Sequence, residues 1–245
     1  MLRIGILYPL HSAEDDYPRM AARLEPPVEA AVVHTDAVDL HTVEDCRRTG
    51  NWEHLEPGAA ELRALGPDVC MWACTSGSFV CGLAGAIDQA RQIRNYLGVP
   101  ASSTSLSFVR AIQTLRISRV AVAATYPEEL AAAFVGFLGE GGIQAVHLGS
   151  LGIWTAVEVG EVGGEEVIDI VRANDHVDAE AILVPDTALH TVAFLPELDN
   201  AVGKPVLTAN QVTMWEALRM AGQVWRQIGF GRLFEVDVDP VGERE

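Results

Sequence analysis

Positive charge is scarce in this chain. Seventeen Lys and Arg stand against 34 Asp and Glu, a formal net charge of −17. Such a surface repels nucleic-acid phosphates and anionic membranes, which excludes both as partners. An anionic small molecule stays open, because a buried site can be lined locally by backbone N–H donors. Cysteine is scarce too. Cys46, Cys70, Cys74 and Cys81 form no CxxC pair and follow no zinc spacing. No apolar run approaches the roughly 18 residues of a membrane helix. Met1 to Asp16 is broken by Pro9, His11 and three acids, and it lacks the basic head and cleavage site of a signal peptide. A cytoplasmic protein with reduced thiols is expected.

What is present is an ordinary folding composition, 49% hydrophobic over 245 residues, enough for one large domain or two small ones. Short apolar runs rich in β-formers alternate with longer helical patterns. The strand candidates are Arg3–Tyr8, Ala31–Val38, Asp68–Ala73, Val99–Ser103, Arg119–Thr125, Gln144–Leu148, Ala181–Pro185 and Pro205–Thr208. Most are continuous rather than alternating, as in strands covered on both faces. Helical patterns fall at His54–Leu65, Gly82–Leu97, Ser105–Leu115, Pro127–Glu140, Gly164–Ala173, Thr191–Val202 and Gln211–Ala221. Strict β–α alternation with short linkers predicts an α/β protein with parallel sheets and right-handed crossovers.

Eight strands could close into one barrel, but an internal echo favours two lobes. Gly98-Val-Pro-Ala-Ser-Ser-Thr-Ser matches Gly203-Lys-Pro-Val-Leu-Thr-Ala-Asn, and Arg3-Ile-Gly-Ile-Leu-Tyr matches Arg119-Val-Ala-Val-Ala-Ala. Asp68-Val-Cys-Met-Trp-Ala-Cys-Thr matches Glu180-Ala-Ile-Leu-Val-Pro-Asp-Thr, which aligns Cys74-Thr75 with Asp186-Thr187. A repeat this long means duplication of a whole domain. The expected division is residues 1–112 and 113–208, with about 209–245 packing back on the first lobe. Two Rossmann-like sheets related by a pseudo-twofold would bind a ligand in the cleft between their strand ends.

The richest segment is DVCMWACTSGSFVCG, Asp68 to Gly82. An apolar strand ends in Cys74, with Thr75, Ser76 and Ser78 as hydroxyl donors and a helix behind them. A helix N-terminus is expected to lower the thiol pKa below about 8.5 and to suit an acid/base or nucleophilic cysteine facing an oxyanion. The same pattern would also serve a small core cysteine with Thr75 and Ser76 capping the helix, and spacing alone weighs the two evenly. Cys70 and Cys81 read as packing, and Cys46, in a polar stretch, as incidental. At the second strand end Asp186 faces Cys74 by the echo, although Asp-Thr before a helix is also an ordinary cap. At the third, Tyr126 aims its hydroxyl at the same cleft. The seven His show no HExxH, His34 and His41 are too loosely spaced for a metal pair, and no phosphate-cradling loop follows a strand. Neither metal nor cofactor is expected.

CTSGS after a buried strand, ATYPEE opening the second half and GKPVLTANQVTMWEALRMAG near the end together resemble the aspartate/glutamate racemase superfamily, on its maleate cis-trans isomerase and arylmalonate decarboxylase branch. The resemblance spans Arg3 to Gln223. It implies two Rossmann-like lobes, a cofactor-free and metal-free site between them, and proton or covalent chemistry next to a carboxylate. By it Cys74 matches the first catalytic cysteine, Thr75, Ser76 and Tyr126 match donors to the substrate carboxylate, and Asp186, with Thr187 beside it, stands where two-cysteine members carry the second. A family asparagine after the first strand is absent, since this chain reads Tyr8-Pro-Leu-His-Ser12. In the arylmalonate enzyme the thiol sits at the second position and glycine at the first, the reverse of this chain.

One thiol fits a decarboxylase most simply, because loss of CO2 makes an enediolate that a single proton quenches. A cis-trans isomerase can use one thiol as nucleophile. A racemase acting on an amino acid or hydantoin needs two proton carriers, here Cys74 and Asp186. A small-acid binding protein that kept the cleft is the alternative outside enzymology. The expected partner is a small carboxylic acid, and homo-oligomerisation stays open.

Overall fold

The computed structural model describes residues 1–223 and 226–236. The end of the C-terminal segment expected to pack on the first lobe, 237–245, lies outside the described residues. The order is β1 (Arg3–Pro9), α1 (Asp16–Arg23), β2 (Glu29–Thr35), α2 (Val43–Thr49), α3 (Trp52–Leu65), β3 (Val69–Trp72), α4 (Ser76–Phe79), α5 (Gly82–Leu97), β4 (Ala101–Ser103) and α6 (Thr104–Thr114). The second half continues with β5 (Arg119–Ala124), α7 (Glu128–Glu140), β6 (Gln144–Ser150), α8 (Ala156–Gly160), α9 (Gly164–Ala173), β7 (Ala181–Val184), α10 (Leu195–Val202), β8 (Val206–Thr208) and α11 (Ala209–Met220).

The strands form two separate four-stranded sheets, ordered β2-β1-β3-β4 and β6-β5-β7-β8. Every pairing is parallel. The eight-stranded barrel is thereby excluded, and the two orders are the same, as the internal echo predicts. β3 and β7 are the second inner strand of their sheets and are buried along their whole length, which explains their unbroken apolar runs. The edge strands β2 and β6 are mostly half-buried. β2 starts and ends earlier than the Ala31–Val38 run suggests, because its register is set by pairing Arg3 with Glu29 and Pro9 with Thr35.

Among the described residues, four helices escape the sequence patterns: α1, α2, α4 and α8. All are short, from four to eight residues, too short for a 3.6-residue period to show. α2 nevertheless carries a readable start signal, since the Thr42 hydroxyl accepts the Asp45 N–H at 3.0 Å.

Helices α6 and α11 each follow the last strand of their own sheet, and they pack on one another. Thr104 and Thr213 join them by a 2.6 Å hydroxyl–hydroxyl hydrogen bond. Beside that contact Tyr17 donates to Asn210 Oδ1 at 2.8 Å. Asp16, 2% exposed, accepts from the backbone N–H groups of Thr191 and Val192 and from Asn210 Nδ2. These bonds join α1 to the segment after β7 and bring the C-terminal ends of β1, β3 and β7 to one cleft. No helix among the described residues is long and apolar enough to cross a membrane.

Candidate active site

Cys74 stands two residues past β3, at the entrance to α4, and is 5% exposed. Its Sγ accepts the Gly77 N–H at 3.3 Å and lies 3.7 Å from Ser76 Oγ. Gly77 lets the turn close over the thiol, since a Cβ there would come within 3.1 Å of Sγ. The sequence expectation of a lowered thiol pKa is reversed. Burial pushes Cys74 up to about 11, only partly offset by the Gly77 and Ser76 donors, and the Asp186 charge pushes the same way. The reason is geometric. α4 is a single turn of four residues, so it brings little dipole to set against desolvation. The resting thiol therefore holds its proton near neutral pH.

Asp186 stands two residues past β7 and is 4% exposed. Its Oδ1 accepts the Ala188 N–H at 2.9 Å, and its Oδ2 accepts the Thr125 hydroxyl. It caps no helix, because the next helical turn begins only at Val192. Nor does Thr75 cap α4: it occupies the capping position, but its buried hydroxyl has no partner.

Cys74, Ser76, Asp186 and Thr187 line one cavity of about 40 Å³ between the lobes. At roughly 10–15 Å³ per water that is room for about three waters, fewer heavy atoms than a small dicarboxylic acid has. Thr75 and Tyr126 do not line it. The Tyr126 hydroxyl donates to the Pro185 carbonyl at 2.6 Å, and burial, with the Asp186 and Cys74 charges close by, raises its pKa well above 10.

Tyr8, His41 and Cys46 are among the lining residues that the sequence patterns left unassigned. Tyr8 donates to the Thr187 carbonyl and accepts the Ala13 N–H, both at 3.0 Å. His41 packs perpendicular to the Tyr126 ring, with centroids 5.2 Å apart, and faces the Ile153 carbonyl through Nδ1. Cys46 corrects the view that it is incidental. It is 4% exposed, lines the cavity from α2, and burial pushes its thiol up to about 12. The α2 start signal is what could have placed it.

Two open parallel sheets with a thiol and a carboxylate at equivalent strand ends, facing one cavity, define a two-lobed α/β enzyme scaffold. The arylmalonate decarboxylase family model matches residues 12–234, and the chain belongs to that family. It is 29% identical to the arylmalonate decarboxylase of Bordetella bronchiseptica over 203 residues, 82% of this chain and 79% of that protein. It is 24% identical to the maleate isomerase of Nocardia farcinica over 96% of both chains. Among solved structures, a liganded arylmalonate decarboxylase variant with one glycine changed to cysteine and one cysteine to serine superimposes with TM-score 0.82 at 28% identity, covering 96% of this chain and 99% of that one. The Nocardia farcinica maleate cis-trans isomerase carrying a covalent succinylcysteine intermediate shares the fold, with TM-score 0.89 at 21% identity over 97% and 99% of the two chains. A lyase and an isomerase are thus the two enzyme classes among these relatives, the pair that the sequence pattern offers.

Proposed function

We propose that this protein is a cofactor-independent decarboxylase of a small malonate-type dicarboxylic acid, with Cys74 as the acid that delivers the product proton. One observation carries the reading: a buried thiol whose pKa is pushed up to about 11 lines the inter-lobe cavity opposite a carboxylate. A group that holds its proton at neutral pH is fit to give it to a carbanion and poorly fit to attack as a thiolate. The substrate carboxylate that stays would take hydrogen bonds from Ser76 and from N–H groups of the turn after Cys74. The other carboxylate would leave as CO2 as its C–C bond breaks, its electron pair forming the enediolate. Cys74 then transfers its S–H proton to carbon, and the thiolate recovers a proton from solvent. Thr187 would hold the substrate from the second lobe. Thr75, with its unpartnered buried hydroxyl, and Tyr126 would reach the substrate only after the turn shifts.

Asp186 favours a second reading. A carboxylate on the opposite wall is a second proton carrier, which racemase-type exchange at a carbon next to a carboxylate requires. A cis-trans isomerase would instead need the Cys74 proton removed first. CO2 release and deuterium incorporation, measured across malonates, maleate, hydantoins and amino acids, separate these cases. The expected result is CO2 from a malonate with one deuterium at the α-carbon in D2O, lost in Cys74→Ala. Conversion of maleate without CO2 release from any malonate would overturn it, and ligand protection of Cys74 without any turnover would leave a binding protein.

A further inference from the structure

The geometry points to a divalent transition-metal site of the Zn2+ class, built from His11, Glu14 and His34 at the rim of the cavity. One ring nitrogen of each histidine and one carboxylate oxygen of Glu14 lie within 4.8 Å of one another. Sequence spacing hides the group, because its third member comes from another strand. The parallel register sets Tyr8 opposite His34 and Pro9 opposite Thr35, and Leu10 then takes φ 55°, a left-handed conformation rare for leucine. That reversal brings the His11 ring back over His34, with centroids 3.8 Å apart.

The donor atoms are prepared for a cation. His34 Nδ1 faces the Leu10 carbonyl, which can only accept. Nδ1 therefore carries the proton and Nε2 keeps its lone pair, the tautomer that metal-binding histidines use. Glu14 accepts the Ser12 N–H on Oε2 at 2.7 Å and the His11 Nδ1–H on Oε1 at 3.0 Å, so a cation would take His11 through Nε2 or replace the proton of that one hydrogen bond. Ligands in a tetrahedral zinc shell, at bond lengths of about 2.0–2.1 Å, stand about 3.3 Å apart. The His11–Glu14 pair is already near that spacing, and the His11 side chain, 74% exposed, is free to turn. Two imidazoles and one carboxylate suit Zn2+, Co2+ or Ni2+ over Mg2+ or Ca2+, with water completing the shell. The net charge of −17 favours any cation at the surface.

The site adjoins the cavity through its own backbone. Pro9 and Leu10 line the cavity, while His11 and Glu14 continue the same loop and His34 lies on β2. An ion held by all three ties the loop to the sheet and keeps the rim closed. Metal thus slows turnover by restraining the opening that substrate entry needs. This last step rests on the proposed decarboxylase reading, whereas the binding itself does not.

Binding is tested by titrating the full chain with Zn2+, with Mg2+ as control, and by following Tm and the Co2+ absorption spectrum. One equivalent of Zn2+ should bind and raise Tm, Mg2+ should do neither, and the Co2+ spectrum should lack the intense thiolate charge-transfer band. His34→Ala, His11→Ala and Glu14→Gln should each weaken Zn2+ roughly tenfold or more while keeping the metal-free Tm. Absence of binding, undiminished binding in these variants, or a thiolate band from Cys46, Cys74 or Cys81 would overturn the site. With a malonate substrate, Zn2+ should lower kcat/KM in the natural chain and leave His34→Ala unaffected. Equal slowing in both, or binding without slowing, would overturn the rim clamp. A protein with no turnover at all would instead refute the decarboxylase and leave the binding result standing.

Discussion

Cys74 and Asp186 each stand two residues beyond the equivalent strand of their own lobe, and both face one cavity. Their placement follows from the shared sheet order, in which β3 and β7 hold the same place. They are unlike in chemistry, and the Asp186 charge helps to keep the Cys74 thiol protonated.

Cys74→Ala should abolish turnover and keep the fold, at a cost of about 1–3 kcal/mol because the buried Gly77 N–H loses its acceptor. Cys70→Ala, in the fully buried middle of β3, should keep turnover and lose about 1 kcal/mol to packing. Alkylation of Cys74 should still be accelerating at pH 9, because only thiolate reacts and its pKa lies at about 11. A rate that levels off below pH 8 would show a thiolate poised as nucleophile, and the isomerase reading would replace the decarboxylase.

Asp186→Asn keeps an acceptor for the Ala188 N–H and a partner for the Thr125 hydroxyl, so Tm should hardly move. Loss of the negative charge lowers the Cys74 pKa, and alkylation at fixed pH should speed up. Malonate decarboxylation should stay within about tenfold, whereas exchange of the product's α-proton, which needs a base on the far wall, should fall by about 10²-fold or more. Loss of both activities would make Asp186 part of the decarboxylation itself.

Gly50→Ala should damage the site from outside it. A Cβ on Gly50 would lie 2.0 Å from the Gly77 carbonyl oxygen and 2.8 Å from Gln89 Nε2. Gln89 bonds both carbonyls, at 2.7 and 3.1 Å, and so holds the end of α2 against α4. Overpacking should cost about 1–3 kcal/mol and shift the turn whose N–H holds Cys74 Sγ. Thermal melts and Cys74 alkylation read the two effects separately. A normal Tm with normal alkylation would mean the turn yields freely.

Asp16→Ala should leave three buried donors, on Thr191, Val192 and Asn210, without their acceptor. Each unsatisfied group costs about 1–3 kcal/mol, so denaturant unfolding should show a loss of several kcal/mol. A loss below about 1 kcal/mol would show that water replaces the carboxylate.

The sequence by itself determined the α/β class, all eight strands, the duplication and the two equivalent strand ends that carry Cys74 and Asp186. These are legible because continuous apolar runs and chain punctuation are local signals, and because a repeat copies its functional positions along with its fold. Tertiary structure alone decided the rest. It turned the Tyr126 hydroxyl to Pro185, brought Cys46 and Tyr8 into the cavity wall, and set His11 over His34. It also reversed the expected direction of the Cys74 pKa. Desolvation and contact sum over neighbours that are far apart along the chain, so no local pattern carries their sign.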